Sequence, residues 1–187
     1  SSACLYPDNS QWYSEDDRMG ARCEYSRTKL LAEESLTPYR DDILVIRMRQ
    51  PFSNHSHPRN LLQKLARYTE FIDEPNSMSQ IEECLPVIWN LLRADETGPW
   101  NMTNKGWTTP LRIARMIKKH WEPDMEVREI SYEELLEKVN AARVNSLVDC
   151  SKLEAWGVEP APVDAAIEDC LVNRCALGEY NWSRNVR

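Results

Sequence analysis

The sequence predicts an α/β protein in which short buried strands alternate with crossover helices. Three observations carry that expectation. "ILVIRM", residues 43–48, is a short apolar run rich in β-branched residues, as a strand covered on both faces requires. Segments with apolar residues at helical spacing lie on both sides of it, so strand and helix alternate along the chain. Helix starts are also marked by capping signals: Thr109-Pro110 is a cap residue followed by proline at the first helical position.

Taken in order, "SSACLYP" (residues 1–7) reads as the end of a buried strand running into a turn at Pro7-Asp8-Asn9. "CEYSRTKLLAEE" (23–34) reads as an amphipathic helix and places Tyr25 and Lys29 about one turn apart on one face. A fixed ammonium beside a phenol favours the phenolate and makes the phenol a better proton relay near neutral pH. After the strand at 43–48, Leu61, Leu62, Leu65 and Tyr68 give residues 59–69 helical spacing. Ser79-x-x-Glu82 has the form of a capping box opening a helix with Ile81, Leu85, Ile88 and Leu92 on one face. "PWNMT" (99–103) predicts a short strand, and the Thr109 cap opens a helix to His120. "EVREI" (126–130) alternates like a strand, Ser131-x-x-Glu134 caps the next helix, and two last helices are expected near 151–156 and 163–174.

Composition narrows the function classes. A chain of 187 residues can bury one well-formed core, and 42% apolar with 28% charged residues is ordinary for a globular domain. A net charge of −7 argues against nucleic acid and anionic membrane surfaces as main partners. No stretch approaches the roughly 20 apolar residues of a membrane span, and no signal-peptide pattern opens the chain. Six cysteines without C-x-x-C or zinc spacing read as the reduced thiols of a cytoplasmic protein. On that reading the Asn-x-Ser/Thr triplets at Asn54, Asn101 and Asn181 are chance occurrences. His55 and His57 have no third ligand nearby, so no metal site is expected.

Only five glycines are present, none in a Gly-rich turn between a strand and a helix. Dinucleotide folds use such a turn to bring backbone amides to the pyrophosphate. The main binding half for any such cofactor is therefore expected outside this chain.

"SSACLYP" followed by "YSRTK" resembles the active-site region of extended short-chain dehydrogenases/reductases, in which a Ser or Thr precedes a Tyr-x-x-x-Lys. Here Ser2 stands 25 − 2 = 23 residues before Tyr25. The runs "ILVIRMRQPFSNHSHPRNLLQKLARYTEFIDEPNSMS", "LPVIWNLL", "GPWNMTNKG" and "VNSLVDCSKLEAWGV" sharpen the likeness. They are similar to the plant and giant-virus nucleotide-rhamnose synthases (3,5-epimerase/4-reductase), relatives of dTDP-4-dehydrorhamnose reductase. The resemblance implies an incomplete Rossmann-like parallel sheet, the C-terminal part of such an enzyme, with a small α/β substrate-binding region. It covers most of residues 1–175, and residues 176–187 read as a polar tail.

What the resemblance implies for chemistry is specific. The substrate would be a nucleotide-linked 4-keto-6-deoxyhexose, whose keto group acidifies the protons on C3 and C5. Cys4 and Lys64 match the proposed epimerisation pair; alone, Cys4 would read as a small buried residue. Tyr25 would protonate the C4 oxygen, Lys29 would hold that proton acidic and bind the nicotinamide ribose, and Ser2 would hydrogen-bond the carbonyl. Arg59, Asn60, Arg143 and Asn145 are the nominees for sugar-nucleotide contacts, with Asn60 equally suited to capping the helix at 59–69. Trp100 and Trp107 would border that site. The cofactor would be NADPH (or NADH), with most of its site outside this chain. The partners implied are a second copy in a homodimer or a missing N-terminal half onto which this chain docks. Two other readings stand: "SSACLYP" also resembles GDP-sugar 3,5-epimerases, and a non-catalytic reductase-like subunit binding a partner protein would share the fold.

Overall fold

A computed structural model of the chain describes residues 1–139 and 144–174. The first half runs through a 3₁₀ turn at Ala3–Leu5, strand β1 (Trp12–Tyr13), helix α1 (Glu24–Leu36) and a second 3₁₀ turn at Thr37–Tyr39. Strands β2 (Leu44–Met48) and β3 (Pro51–Phe52), helix α2 (Leu61–Leu65), strands β4 (Glu70–Phe71) and β5 (Ser79–Gln80) and helix α3 (Ile81–Arg93) follow. The remainder is β6 (Gly98–Met102), α4 (Pro110–His120), β7 (Arg128–Glu129), α5 (Tyr132–Lys138), β8 (Leu147–Val148), α6 (Ser151–Ala155) and α7 (Val163–Val172).

Every ladder between these strands is parallel. β2 pairs with β6 from Leu44 opposite Gly98 to Met48 opposite Met102. The pairs β1–β8, β3–β5 and β4–β7 are two residues long each. Ser2 adds a parallel bridge to Met48, so the chain's first residues lie along β2 on its other side. Parallel neighbours cannot be joined by hairpins, and the connections here pass through helices. The expected α/β class is borne out.

Local chemistry explains most helix starts. Thr109 Oγ1 accepts the Arg112 amide at 3.1 Å, with Pro110 in the first turn of α4. Lys118, Lys119 and His120 fill the last turn of α4, where positive charge suits the helix dipole. Ser131 and Glu134 form the reciprocal capping box expected of them.

Three expectations need correction. Ser79 does not cap α3: it lies in β5, fully buried, where its Oγ accepts the Arg49 amide and donates to the Met102 carbonyl. Gln80 holds the cap position without a side-chain cap bond. The buried face of α3 keeps Ile88 of the residues expected but is otherwise shifted. Cys84 and Leu91 are buried with Val87 and Ile88 against them, whereas Leu85 and Leu92 are 38% and 52% exposed. The helix expected over 59–69 is shorter, ending at Leu65, and Tyr68 is exposed.

Three apolar clusters carry the packing among the described residues, the smallest formed by Ala3, Tyr6, Tyr13 and Val148. Phe52, Leu62, Phe71, Ile113, Ile117 and Ile167 join α2, α4 and α7 to β3 and β4. Trp100, Met102, Cys84, Leu91 and Leu153 join β6 to α3 and α6.

Candidate active site

The site grows from the C-terminal end of β2, where Ser2 bridges to Met48. Crevices outside the carboxyl ends of strands are where open α/β sheets bind ligands. Ser2 is extended and caps the first 3₁₀ turn, its Oγ accepting the Cys4 amide at 3.3 Å. That bond uses a lone pair and leaves the hydroxyl proton free to donate. Cys4, inside the turn, is only 7% exposed.

Helix α1 brings the second pair. Cys23 caps it: the thiol accepts the Ser26 amide, and the Ser26 hydroxyl accepts the Cys23 amide at 3.1 Å. The Ser26 hydroxyl, and then its amide, lower the Cys23 thiol pKa below its ordinary value. Tyr25 follows in the first turn, 59% exposed, and Lys29 Nζ lies 5.6 Å from the centroid of its ring. The side-by-side packing expected from their spacing is present.

Lys29 owes its availability to a residue one turn further on. Glu33 is its i+4 neighbour and would ordinarily pair with it. Instead the Glu33 carboxylate is held by Arg47, at 3.0 Å from Nε and 2.7 Å from Nη2, with both side chains buried. Among the described residues Lys29 forms no ion pair. Arg47 also donates to the Tyr6 hydroxyl at 2.9 Å and the Glu15 carbonyl at 3.1 Å. Burial alone would lower the Arg47 pKa; its bonds to Glu33 and the neighbouring Tyr6 outweigh that and hold it above its usual value.

Arg49 went unremarked in the sequence and belongs to this site. Nε donates to Asn76 Oδ1 at 2.8 Å, and Nη2 donates to the Val144 carbonyl. Asn76 Oδ1 also accepts the Ser146 amide at 3.1 Å, and Asn76 Nδ2 donates to Asn145 Oδ1 at 3.1 Å. Ser146 in turn reaches the Ala3 carbonyl beside Cys4. Burial lowers the Arg49 pKa to about 10, opposed by Cys4, Cys23 and Tyr25. The available signal was an arginine two residues beyond Arg47, hence on the same side of an extended run.

The other nominees divide. Asn145 joins the Arg49 network through Asn76. Asn60 caps α2, its Oδ1 accepting the Leu62 amide while Nδ2 donates to the carbonyls of Ser53 and His55. Arg59 and Lys64 are exposed, and no hydrogen bond or ion pair joins Lys64 to buried Cys4 among the described residues. Arg143 lies outside the described residues. Trp100 is taken up by the core, edge-on to Trp156 at 6.1 Å, whereas Trp107 is exposed beneath Arg112. Asn101 is fully buried, with Nδ2 donating to Tyr13 and Asp149 carbonyls, a position that excludes glycosylation in the fold. A cleft of about 240 Å³ at the Leu36–Arg40 end of α1 is lined by none of Ser2, Cys4, Tyr25 or Lys29.

The comparisons with known proteins fit this geometry. No family model matches the chain. The chain is 36% identical over 130 residues to a trifunctional UDP-glucose 4,6-dehydratase/UDP-4-keto-6-deoxy-D-glucose 3,5-epimerase/UDP-4-keto-L-rhamnose-reductase of Arabidopsis thaliana, covering 69% of this chain and 19% of that protein. It is 34% identical over 131 residues to the bifunctional dTDP-4-dehydrorhamnose 3,5-epimerase/dTDP-4-dehydrorhamnose reductase of the same plant, covering 70% of this chain and 43% of that protein. The chain thus spans less than half the length of these curated relatives. Among solved structures, the UDP-rhamnose synthase of Acanthamoeba polyphaga mimivirus superposes with a TM-score of 0.84 at 23% identity, covering 92% of this chain and 62% of that one. The dTDP-4-dehydrorhamnose reductase of Bacillus anthracis, solved with NADP, gives 0.78 at 16% identity, covering 92% and 63%. The resemblance to nucleotide-rhamnose synthases is borne out, and the fold is that of Rossmann-type reductases.

Proposed function

We propose that this chain carries the catalytic and sugar-nucleotide segments of an enzyme that epimerises a nucleotide 4-keto-6-deoxyhexose at C3 and C5 and reduces its C4 ketone. The observation that carries the reading is Lys29 packed over the Tyr25 ring, with no ion pair of its own among the described residues, on the helix that follows the Ser2–Cys4 turn. Similarity to the epimerase/reductases of Arabidopsis supports the substrate class.

Each residue has a task. The free hydroxyl proton of Ser2 hydrogen-bonds the C4 carbonyl and orients it. Cys4 takes a proton from carbon on one face of the enolisable sugar, and Lys64 is the nominee for the opposite face. Tyr25 protonates the C4 oxygen, and the Lys29 ammonium favours the phenolate left behind. NADPH, when bound, would supply the hydride. The exposed Tyr25 phenol and the Lys29 ammonium fit its nicotinamide-ribose end. No strand-to-helix turn among the described residues is Gly-rich, so amides for its diphosphate must come from elsewhere. A reducing cytoplasm suits the five described cysteines, all free. No helix of the described residues is long and apolar enough to cross a membrane.

The test supplies UDP- or dTDP-4-keto-6-deoxyglucose and NADPH to the protein together with a cofactor-binding half. NADPH oxidation matched by formation of the nucleotide L-rhamnose sugar is expected. No oxidation and no solvent deuterium at C3 or C5, with the protein folded, would overturn the reading.

A further inference from the structure

We infer that Arg49 is a further catalytic residue, whose unused Nη1 donates to the sugar's C4 oxygen whenever that oxygen carries negative charge. The inference rests on the proposed function and adds to it a group that the Ser–Tyr–Lys pattern does not contain. Arg49 is 5% exposed, and no carboxylate pairs with it among the described residues. A buried guanidinium with no counter-charge is costly unless an anion joins it for part of the cycle. Two of its three nitrogens are fixed, Nε by Asn76 and Nη2 by the Val144 carbonyl, so the planar fork cannot swing away. Nη1 has no acceptor among the described residues.

Its surroundings say where the anion forms. Cys4, Cys23 and Tyr25 oppose the effect of burial on Arg49, so among the described residues its charge is felt at both proposed proton-transfer sites, Cys4 and Tyr25. Asn76 and Ser146 tie Arg49 to the Ala3 carbonyl, and so to the turn that holds Ser2 and Cys4. Removing a proton from C3 or C5 places the electron pair on the C4 oxygen as an enolate. Adding hydride to C4 places it there as an alkoxide. One fixed donor at that oxygen serves both steps, as a preorganised oxyanion site does.

The consequence is a pattern that neither Cys4 nor Tyr25 should give, and guanidinium rescue separates it from loss of the Ser2 donor. Arg49→Met in the enzyme should slow both solvent-deuterium exchange at C3/C5 and NADPH oxidation by about 100-fold or more, the scale for loss of one oxyanion donor. KM should change little, and added ethylguanidinium should restore part of both rates in Arg49→Ala. Wild-type rates in folded Arg49→Met, or loss of only one activity, would overturn the inference. So would loss of both rates with no guanidinium rescue, which marks a structural role. If Arg49→Met fails to fold, Arg49→Lys decides: an ammonium cannot serve Asn76, Val144 and the sugar oxygen together, so both rates should still fall, and wild-type rates would refute the role. Failure of the wild-type protein to catalyse exchange or oxidation would instead sink the proposed function itself.

Discussion

Helices α1 and α4 are both solvent-facing, yet they are held in opposite ways. α4 buries Leu111, Ile113, Ala114 and Ile117 against α2 and α7, a conventional apolar stripe. α1 buries only Ser26, and leaves Leu31 and Leu36 exposed. What fixes α1 is polar: the Cys23–Ser26 box at its start and the buried Glu33–Arg47 pair three turns on. The helix that carries Tyr25 and Lys29 is thus positioned by directional bonds, which specify orientation more sharply than apolar contact does. The difference teaches that the chemistry and the core of this protein can be damaged separately.

The largest expected effect comes from breaking that clamp. Arg47→Met leaves Glu33 buried without a partner and should destabilise the fold by about 3–5 kcal/mol. Thermal melts should show much of this recovered in Arg47→Met/Glu33→Leu, because the uncompensated charge is gone. No recovery would mean that the pair is not what anchors α1. Ile117→Ala, in the apolar helix, should cost about 3 kcal/mol through lost burial and a cavity. It should leave the per-molecule rate unchanged below the melting range; a matching loss of activity would erase the distinction between the two helices.

Thiol chemistry should divide along the same line. Cys23 sits at the polar helix start with its pKa lowered by Ser26. Burial pushes Cys84 up to about 12 and Cys150 up to about 11, and raises Cys170 further. At pH 8, mass-mapped iodoacetamide labelling should modify Cys23 more than about 100-fold faster than those three. Fast labelling of Cys84 or Cys170 in folded protein would contradict the core assignment.

The smallest effect tests the turn beside the site. The Ser10 hydroxyl, the Tyr13 hydroxyl and the Ser10 amide lower the Asp8 carboxyl to about 2. A carboxyl lowered on folding stabilises above its unfolded pKa, near 3.9, and loses that contribution as pH falls through the folded value. Asp8→Asn should therefore lower stability by no more than about 1 kcal/mol at pH 7, the group being partly exposed. The difference should shrink between about pH 4 and pH 2; a difference that grows with acid would refute this account.

Those outcomes bear on how much of the molecule was legible from sequence. The Thr109 and Ser131 helix starts were readable because a cap is a local code, complete within four residues. Ser79 carries the same code and was misread, because the Arg49 amide and Met102 carbonyl claim its hydroxyl from elsewhere in the chain. Of the two-residue strands only β7 left a mark, inside the alternating "EVREI"; β1, β3, β4, β5 and β8 are too short to show an alternation. In the site, Tyr25–Lys29 was visible as helical spacing. Arg49 was not, because its meaning depends on Asn76 and Val144, distant in sequence. Asn60 allowed two readings, and its capping bonds account for the structural one.

The central claim is that one pocket divides two chemistries between Cys4 and Tyr25. It is tested most directly by measuring solvent-deuterium exchange at C3/C5 and NADPH oxidation side by side in two variants. Tyr25→Phe should keep exchanging while oxidation falls by about 10²–10⁴-fold, the range for loss of a general acid. Cys4→Ala should stop exchange yet still reduce an already epimerised 4-keto sugar. Equal loss of both activities in both folded variants would contradict the division.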